Sequence, residues 1–199
     1  MNIACVIMAA GAARRFGGDK IFARFEGEML YARAIRAAQT AGCFTDIALV
    51  CRLSDVPRIH APGVRLLVNE TGARSRTVQL GAEAFSGCDA IVFMTCDQPL
   101  LTAESLRRLA AAFEAEPDGI CALGVSGKPR NPALFARRFF EELHALEGED
   151  GGKKVMRAHA GEVRVVEAPA GELTDADTPQ ALEELVRLAG QTRPTGIKA

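Results

Sequence analysis

An α/β fold built on a doubly wound, mostly parallel sheet is what this sequence predicts, on three observations. Short apolar runs alternate with segments of helical spacing from Ile3 to about Pro117, the order expected of strand-helix-strand units. One of those runs, AIVFMT at residues 90–95, is apolar on successive positions, as a strand covered on both faces must be. A glycine-rich basic stretch, IMAAGAARRFGGDK at residues 7–20, follows the first run and so lies at a strand's carboxyl end, where open α/β sheets bind ligands.

The first strand is expected over 3–8. Alternating apolar residues and Gly27 occupy 21–28, and Leu30, Ala34, Ile35 and Ala38 give helical spacing over 29–41, closed by Gly42. Strands follow over 46–51 and 64–68, then a helix over 76–85 and a fourth strand over 89–95. Thr102 is the expected N-cap of a helix over 102–116, with Glu104 and Ser105 in its first turn. Beyond Pro117 the alternation loosens. A strand is expected over 119–125, an extended segment over 129–135, and a helix over 136–146 with Phe139, Phe140 and Leu143 on one side. A short helix over 155–159, a strand over 162–166 and a last helix over 179–189, capped by Thr178 with Pro179 first, complete the chain. The second half is expected to extend the same sheet, giving one domain over 1–190 and a polar, disordered tail over 191–199.

Composition narrows the function. A chain of 199 residues with 48% hydrophobic content can bury one sizeable core. Its net charge of −1 offers no basic excess for a nucleic-acid backbone, and no run of apolar residues is long enough to span a bilayer, so no nucleic-acid or membrane partner is expected. Met1 and Asn2 run straight into a strand without signal-peptide features, and the expected location is cytoplasmic. The six cysteines, Cys5, Cys43, Cys51, Cys88, Cys96 and Cys121, are scattered without a C-x-x-C pair and read as small core hydrophobes. Beside Asp97, Cys96 is expected to be an unreactive thiol.

Two stretches carry chemistry on their own residues. The 7–20 loop offers Gly11, Gly17 and Gly18, which let backbone amides approach a ligand, together with Arg14, Arg15 and Lys20; phosphate is the fitting guest. Neither G-x-G-x-x-G nor a P-loop spacing is present, and the second strand ends Val50-Cys51-Arg52 without the acid a dinucleotide ribose needs. At the end of the fourth strand, in TCDQPLL, Asp97 is held rigidly ahead of Pro99 at the same sheet edge. It is a suitable ligand for Mg²⁺, which takes one or two carboxylates with substrate phosphates.

The loop also resembles the opening motif LAAGxSxRMGxxK of the MobA-like NTP transferases. Met8, Ala9, Ala10, Gly11, Arg15, Gly17 and Lys20 match it, while Phe16 and Ala13 depart from it. Further segments follow in the family's order: NETGARSRTVQLG at 69–81 resembles the base-recognising segment of cytidylyltransferases, GKPRNPALF at 127–135 and GEDGGK at 148–153 resemble segments of molybdenum cofactor cytidylyltransferases, and LTDADTP at 173–179 resembles the family's D-I-D-T-P. The resemblance implies a single-domain, three-layer Rossmann-like (GT-A-like) nucleotidyltransferase fold with a mostly parallel mixed sheet. It implies nucleotide binding by Ala9, Ala10, Gly11, Ala12, Arg15, Gly17, Lys20, Asn69, Gly72, Arg74, Thr77 and Asp97, and acceptor binding by Pro129, Asn131, Pro132 and Lys153. The resemblance implies that an acid of the 173–179 segment, Asp175 or Asp177, would join Asp97 on the metal, and leaves open which of the two. Arg130, Asn131, Glu149 and Lys153 depart from the family's usual Gly, His, Asp and Arg.

The expected activity is Mg²⁺-dependent transfer of CMP from CTP to the phosphate of molybdopterin, with Arg15, Lys20 and Asp97 as the catalytic set. Ala10, where guanylyltransferase relatives carry Gly, leaves less room for a purine. The competing readings are a GTP-using guanylyltransferase, a cytidylyltransferase for another phosphorylated acceptor, and a silent nucleotide-binding module or molybdoenzyme chaperone. His60, His144 and His159 lie outside every motif, in keeping with a reaction that needs no general base.

Overall fold

The computed structural model describes residues 1–11, 15–169 and 171–192, the side chains of 191 and 192 excepted. Fifteen strands and α-helices, β1–β9 and α1–α6, follow one another among them. The first half contains β1 (Ile3–Met8), β2 (Arg24–Phe25), β3 (Glu28–Met29), α1 (Leu30–Ala41), β4 (Asp46–Cys51), β5 (Arg65–Val68), α2 (Arg74–Ala84), β6 (Ala90–Thr95) and α3 (Ala103–Ala115). The second half contains β7 (Ile120–Val125), β8 (Lys128–Ala136), α4 (Phe140–His144), α5 (Gly152–Ala158), β9 (Val163–Glu167) and α6 (Pro179–Thr192).

A seven-stranded sheet in the order β5-β4-β1-β6-β8-β7-β9 organises the fold. It is parallel except for β8, which runs antiparallel to both β6 and β7. The chain leaves β1 for β4 and β5 on one side and returns to β6 on the other. The carboxyl ends of β1 and β6 therefore flank the point where strand order reverses, and a crevice opens there. Helix α1 packs beside α3 and α2 beside α4, so helices cover the sheet. Buried on both faces, β1, β6 and β7 have fully enclosed residues such as Ile3, Ile7, Ile91 and Leu123, which accounts for their unbroken apolar runs. The expected class, a three-layer α/β domain on a mixed, mostly parallel sheet, is the observed one.

Several boundaries moved for identifiable reasons. Asn69 folds the chain after β5 into a tight loop, its side-chain amide donating to the Ala73 carbonyl at 2.8 Å, so α2 starts at Arg74 rather than 76. Pairing of Phe135 with Ile120 and of Ala136 with Ala90 carries β8 into the expected 136–146 helix. That segment becomes a 3-10 turn, Arg137–Phe139, followed by the short α4, yet Phe139, Phe140 and Leu143 are buried as its spacing required. The short helix expected over 155–159 begins earlier, at Gly152, and α6 extends past 189 to Thr192. Residues 193–199 of the expected tail lie outside the described residues. Thr102 caps α3 as expected, its hydroxyl accepting from the Ser105 amide at 3.2 Å. All six cysteines are free, four of them buried.

Close approach makes one glycine indispensable. At Gly124, where β7 shifts register against β8, a Cβ would sit 2.6 Å from the Lys128 carbonyl oxygen and collide with Val165. Gly124→Ala is expected to destabilise the protein by about 1–3 kcal/mol, as overpacking against backbone does. Urea unfolding followed by far-UV circular dichroism measures this as a lower midpoint.

Candidate active site

A cleft of about 480 Å³ opens at the crevice between the ends of β1 and β6. Its floor is the exit of β1, Met8 to Gly11, with Ala9 anchored through its amide to the Val50 carbonyl of β4 at 2.8 Å. Thr95, Cys96 and Asp97 at the exit of β6 form one wall, Gly72, Arg74 and Thr77 at the start of α2 another, and Arg15, Lys20, Ile21, Glu149 and Asp177 complete the lining.

At its centre one ammonium joins two distant parts of the chain. Lys20 Nζ donates to Asp97 Oδ2 at 2.6 Å and to Asp177 Oδ1 at 3.1 Å, and Arg15 reaches the other oxygen of Asp177 at 3.1 Å. Burial pulls the Lys20 pKa down, but Asp97 and then Asp177 more than reverse this, so the net direction is up and the side chain stays charged. The 175–177 segment is held in place by backbone, the Ala176 amide donating to the Asp97 carbonyl at 2.8 Å. The two candidate acids are thereby placed differently. Asp177 faces the cleft beside Asp97, whereas Asp175 turns away and accepts from Gln98 Nε2 at 3.0 Å.

Asp97 Oδ1 is buried without a hydrogen-bond partner among the described residues, as are Thr95 Oγ1 and Gln98 Oε1. A buried carboxylate oxygen left unpaired is costly unless a ligand or ion completes it. Burial pushes the Cys96 thiol up to about 12, with Asp97 adding to the rise, so it lines the cleft without being a nucleophile.

Of the nucleotide residues expected from sequence, Ala9, Ala10, Gly11, Arg15, Lys20, Gly72, Arg74, Thr77 and Asp97 all line the cleft. Ala12 and Arg14 lie outside the described residues. Two of the others have different roles. Asn69 is buried behind the wall, donating to Thr77 Oγ1 at 2.8 Å and accepting from the Gly72 amide at 3.0 Å, so it shapes the loop and leaves no group free for a ligand. Gly17 lies outside the lining and supplies the left-handed turn, φ 78°, that leads to Lys20.

The residues expected to bind the acceptor lie apart from this lining. Pro129, Asn131, Pro132 and Lys153 do not line this cleft: the first three belong to β8, paired with β7 and β6, and Lys153 is exposed on α5. Their segment contributes Glu149 instead. The loop preceding α5 is pinned to α2 by bonds from the Ser75 amide to the Gly148 carbonyl, 3.1 Å, and from Gln79 Nε2 to the Leu146 carbonyl, 2.9 Å. Sequence reasoning also missed Met8, Ile21, Thr95 and Cys96. The last two were signalled by their place just ahead of Asp97.

Fold and cleft together define an α/β protein with a charged crevice at a strand-order reversal. Comparison with known proteins agrees. The description "MobA-like NTP transferase domain" matches residues 5–163, and the chain belongs to that family of nucleotidyltransferases. It is similar to the purine catabolism protein PucB of Bacillus subtilis, 26% identical across 92% of this chain and 95% of that one. A probable molybdenum cofactor guanylyltransferase of Thermococcus kodakarensis is 28% identical, covering 96% and 98%. The 2-C-methyl-D-erythritol 4-phosphate cytidylyltransferase of Cereibacter sphaeroides is 30% identical, covering 84% and 88%. Among solved structures, Rv0371c of Mycobacterium tuberculosis H37Rv superposes with a TM-score of 0.83 at 24% identity, over 94% of this chain and 99% of that one. No helix among the described residues is long and apolar enough to cross a membrane.

The Asp175 carboxyl is raised above its ordinary value, first by burial and then by Asp97 and Asp177, with Gln98 opposing. A raised acid pKa costs stability where both states are ionised and nothing where both are protonated. Asp175→Asn is therefore expected to stabilise the ligand-free protein at pH 7, by less than about 1 kcal/mol, because the carboxyl is only partly buried and the side chain is still reached by water, which screens the effect. The gain should vanish below about pH 4. Thermal melts across that range check the sign.

Proposed function

We propose that this chain transfers CMP from CTP to the terminal phosphate of molybdopterin, releasing pyrophosphate, with Mg²⁺ held between Asp97 and Asp177. The observation that carries the reading is the Lys20 ammonium, bound to both carboxylates at 2.6 and 3.1 Å while facing a glycine-lined cleft. The unpartnered Asp97 Oδ1 beside it supports a further cation, since two carboxylates with substrate phosphates are a donor set that Mg²⁺ accepts. Asp97 and Asp177 would hold the ion, which would supply charge neutralisation for the triphosphate.

The protein's own groups account for the remainder. Amides around Gly11 and the cations Arg15 and Lys20 hold the triphosphate and align its α-phosphorus. An oxygen of the acceptor phosphate attacks that phosphorus, the bond to the β-phosphate oxygen breaks, and the electron pair leaves with pyrophosphate, whose charge Lys20 balances. A phosphate monoester has a second pKa of about 6 and is mostly dianionic at neutral pH, so no general base is required.

Choice of base rests on Ala10, a buried residue just past β1 that belongs to the cleft lining. One methyl discriminates by about 1–3 kcal/mol, which favours cytosine over the larger guanine. The cytidylyltransferase relative supports this base, and the relatives described as molybdenum cofactor guanylyltransferases support the acceptor. Those same relatives favour a second reading, GTP with the same acceptor.

Pyrophosphate release with molybdopterin, measured with CTP and GTP in parallel, separates the two: faster turnover of CTP is expected, and faster turnover of GTP would reverse the assignment. Asp97→Ala is expected to lower kcat by at least about a hundredfold, as loss of a transition-state charge stabiliser does, while calorimetry shows a smaller loss of CTP affinity. A silent binding module would have no turnover to lose.

A further inference from the structure

Lys20 is itself held by a layer of residues outside the cleft. It opens a 3-10 turn, Lys20–Phe22, capped by Asp19, with the Phe22 amide donating to the Asp19 carbonyl at 2.9 Å. Both flanking side chains of this turn are gripped by Arg58. Its Nη1 donates to Asp19 Oδ2 at 2.6 Å, and its guanidinium carbon lies 3.8 Å from the centroid of the Phe22 ring. Arg52 Nη2 approaches the other oxygen of Asp19 at 3.9 Å. Arg52 is anchored in turn by Asp55, a buried carboxylate that accepts from its Nε at 2.8 Å and its Nη2 at 3.2 Å.

All of these anchors come from one place. Arg52 directly follows β4, and Leu53–Arg58 is a 3-10 stretch continuing from it. Residue Val50 of the same strand fixes the other end of the phosphate loop through the Ala9 amide. The end of β4 thus clasps the loop on both sides, at its entry and at the turn bearing the ammonium. On the far side, Phe22 meets Tyr31 edge-on at 5.6 Å, and the Tyr31 hydroxyl accepts from the His60 amide at 3.2 Å.

Arg58 and Asp19 are each about half exposed, 49% and 54%. Exposed pairs contribute little to global stability. What this pair does is restrict where the turn, and with it Lys20 Nζ, can sit. We propose that Arg58, braced beside Arg52 and Asp55, is a positioning residue that fixes the Lys20–Phe22 turn through Asp19 and Phe22, so that the ammonium meets the triphosphate in register with Asp97. This rests on the reading that Lys20 holds the triphosphate.

A double-mutant cycle tests it, using calorimetric Kd values for CTP and GTP and pyrophosphate release with the better of the two. Misplacing a binding group by about 1 Å can cost as much as a hundredfold, so Arg58→Ala is expected to lower kcat/KM about tenfold. The same change made in a Lys20→Ala protein is expected to cost less than about twofold, because the group it positions is gone. Asp19→Asn should follow Arg58→Ala, and Arg58→Lys, which keeps a cation beside Asp19 and Phe22, should recover most of the loss. Melting midpoints of the exposed-site variants should stay within about 2 °C of the parent. Losses that multiply in the double variant, or full activity in both Arg58→Ala and Asp19→Asn, would overturn the proposal. A Lys20→Ala protein that binds and turns over both nucleotides like the parent would remove the triphosphate reading, and this inference with it.

Discussion

The contact between the Lys20 ammonium and the carboxylates of Asp97 and Asp177 is the interaction on which this molecule's site depends. Its three members come from the first loop, the end of β6 and the segment before α6, so the pairing closes only when the whole sheet is in order. With Lys20 and Asp97 side chains 11% and 19% exposed, neither charge is well served by water. Each therefore relies on the other, and removing one strands its partner. The backbone bond from Ala176 to Asp97 keeps this geometry from depending on side chains alone.

Around that contact the cleft is lined by charges of both signs. Arg15, Lys20 and Arg74 are set against Asp97, Asp177 and Glu149. Of these, Arg74 and Glu149 form no ion pair among the described residues and remain available to ligand groups. The orphaned oxygens of Thr95 and Asp97 lie on the same wall, so the strand exit that looks least satisfied in the free protein is where a bound nucleotide and cation would have most to complete. Much of the binding geometry is supplied by residues that never touch the cleft. Asn69 closes the loop before α2, Gly17 turns the chain toward Lys20, and the exit of β4 holds both ends of the phosphate loop.

Much of this was legible in the sequence because strand exits and tight turns write themselves in local residue types. The apolar run ending at Thr95, followed by Asp97 and Pro99, located one wall, and the glycines and cations of residues 7–20 located the floor. What local pattern could not supply was direction. Asp175 and Asp177 were both candidates, and which of them lines the cleft depended on how the segment docks, through a backbone bond reaching across 79 positions, from 97 to 176. Asn69, implied as a nucleotide residue by the resemblance of its segment, has its side chain engaged in five contacts that shape the loop before α2, which the local sequence did not signal. The segment at 127–135 read as an acceptor surface, yet most of its residues are spent on pairing and packing in β8. The helix expected over 136–146 failed for the same reason, strand pairing having claimed its first residue.

The proposed ion site pairs Asp97 with Asp177, and not with Asp175, beside Lys20. Binding of Mn²⁺, followed by the loss of its free-ion electron paramagnetic resonance signal in the presence of α,β-methylene-CTP, tests this most directly. Removing one of two carboxylate ligands should weaken ion binding about tenfold or more in Asp97→Asn and Asp177→Asn, with Asp175→Asn close to the parent. Ion binding that survives loss of Asp97, or that depends on Asp175 more than on Asp177, would contradict the account.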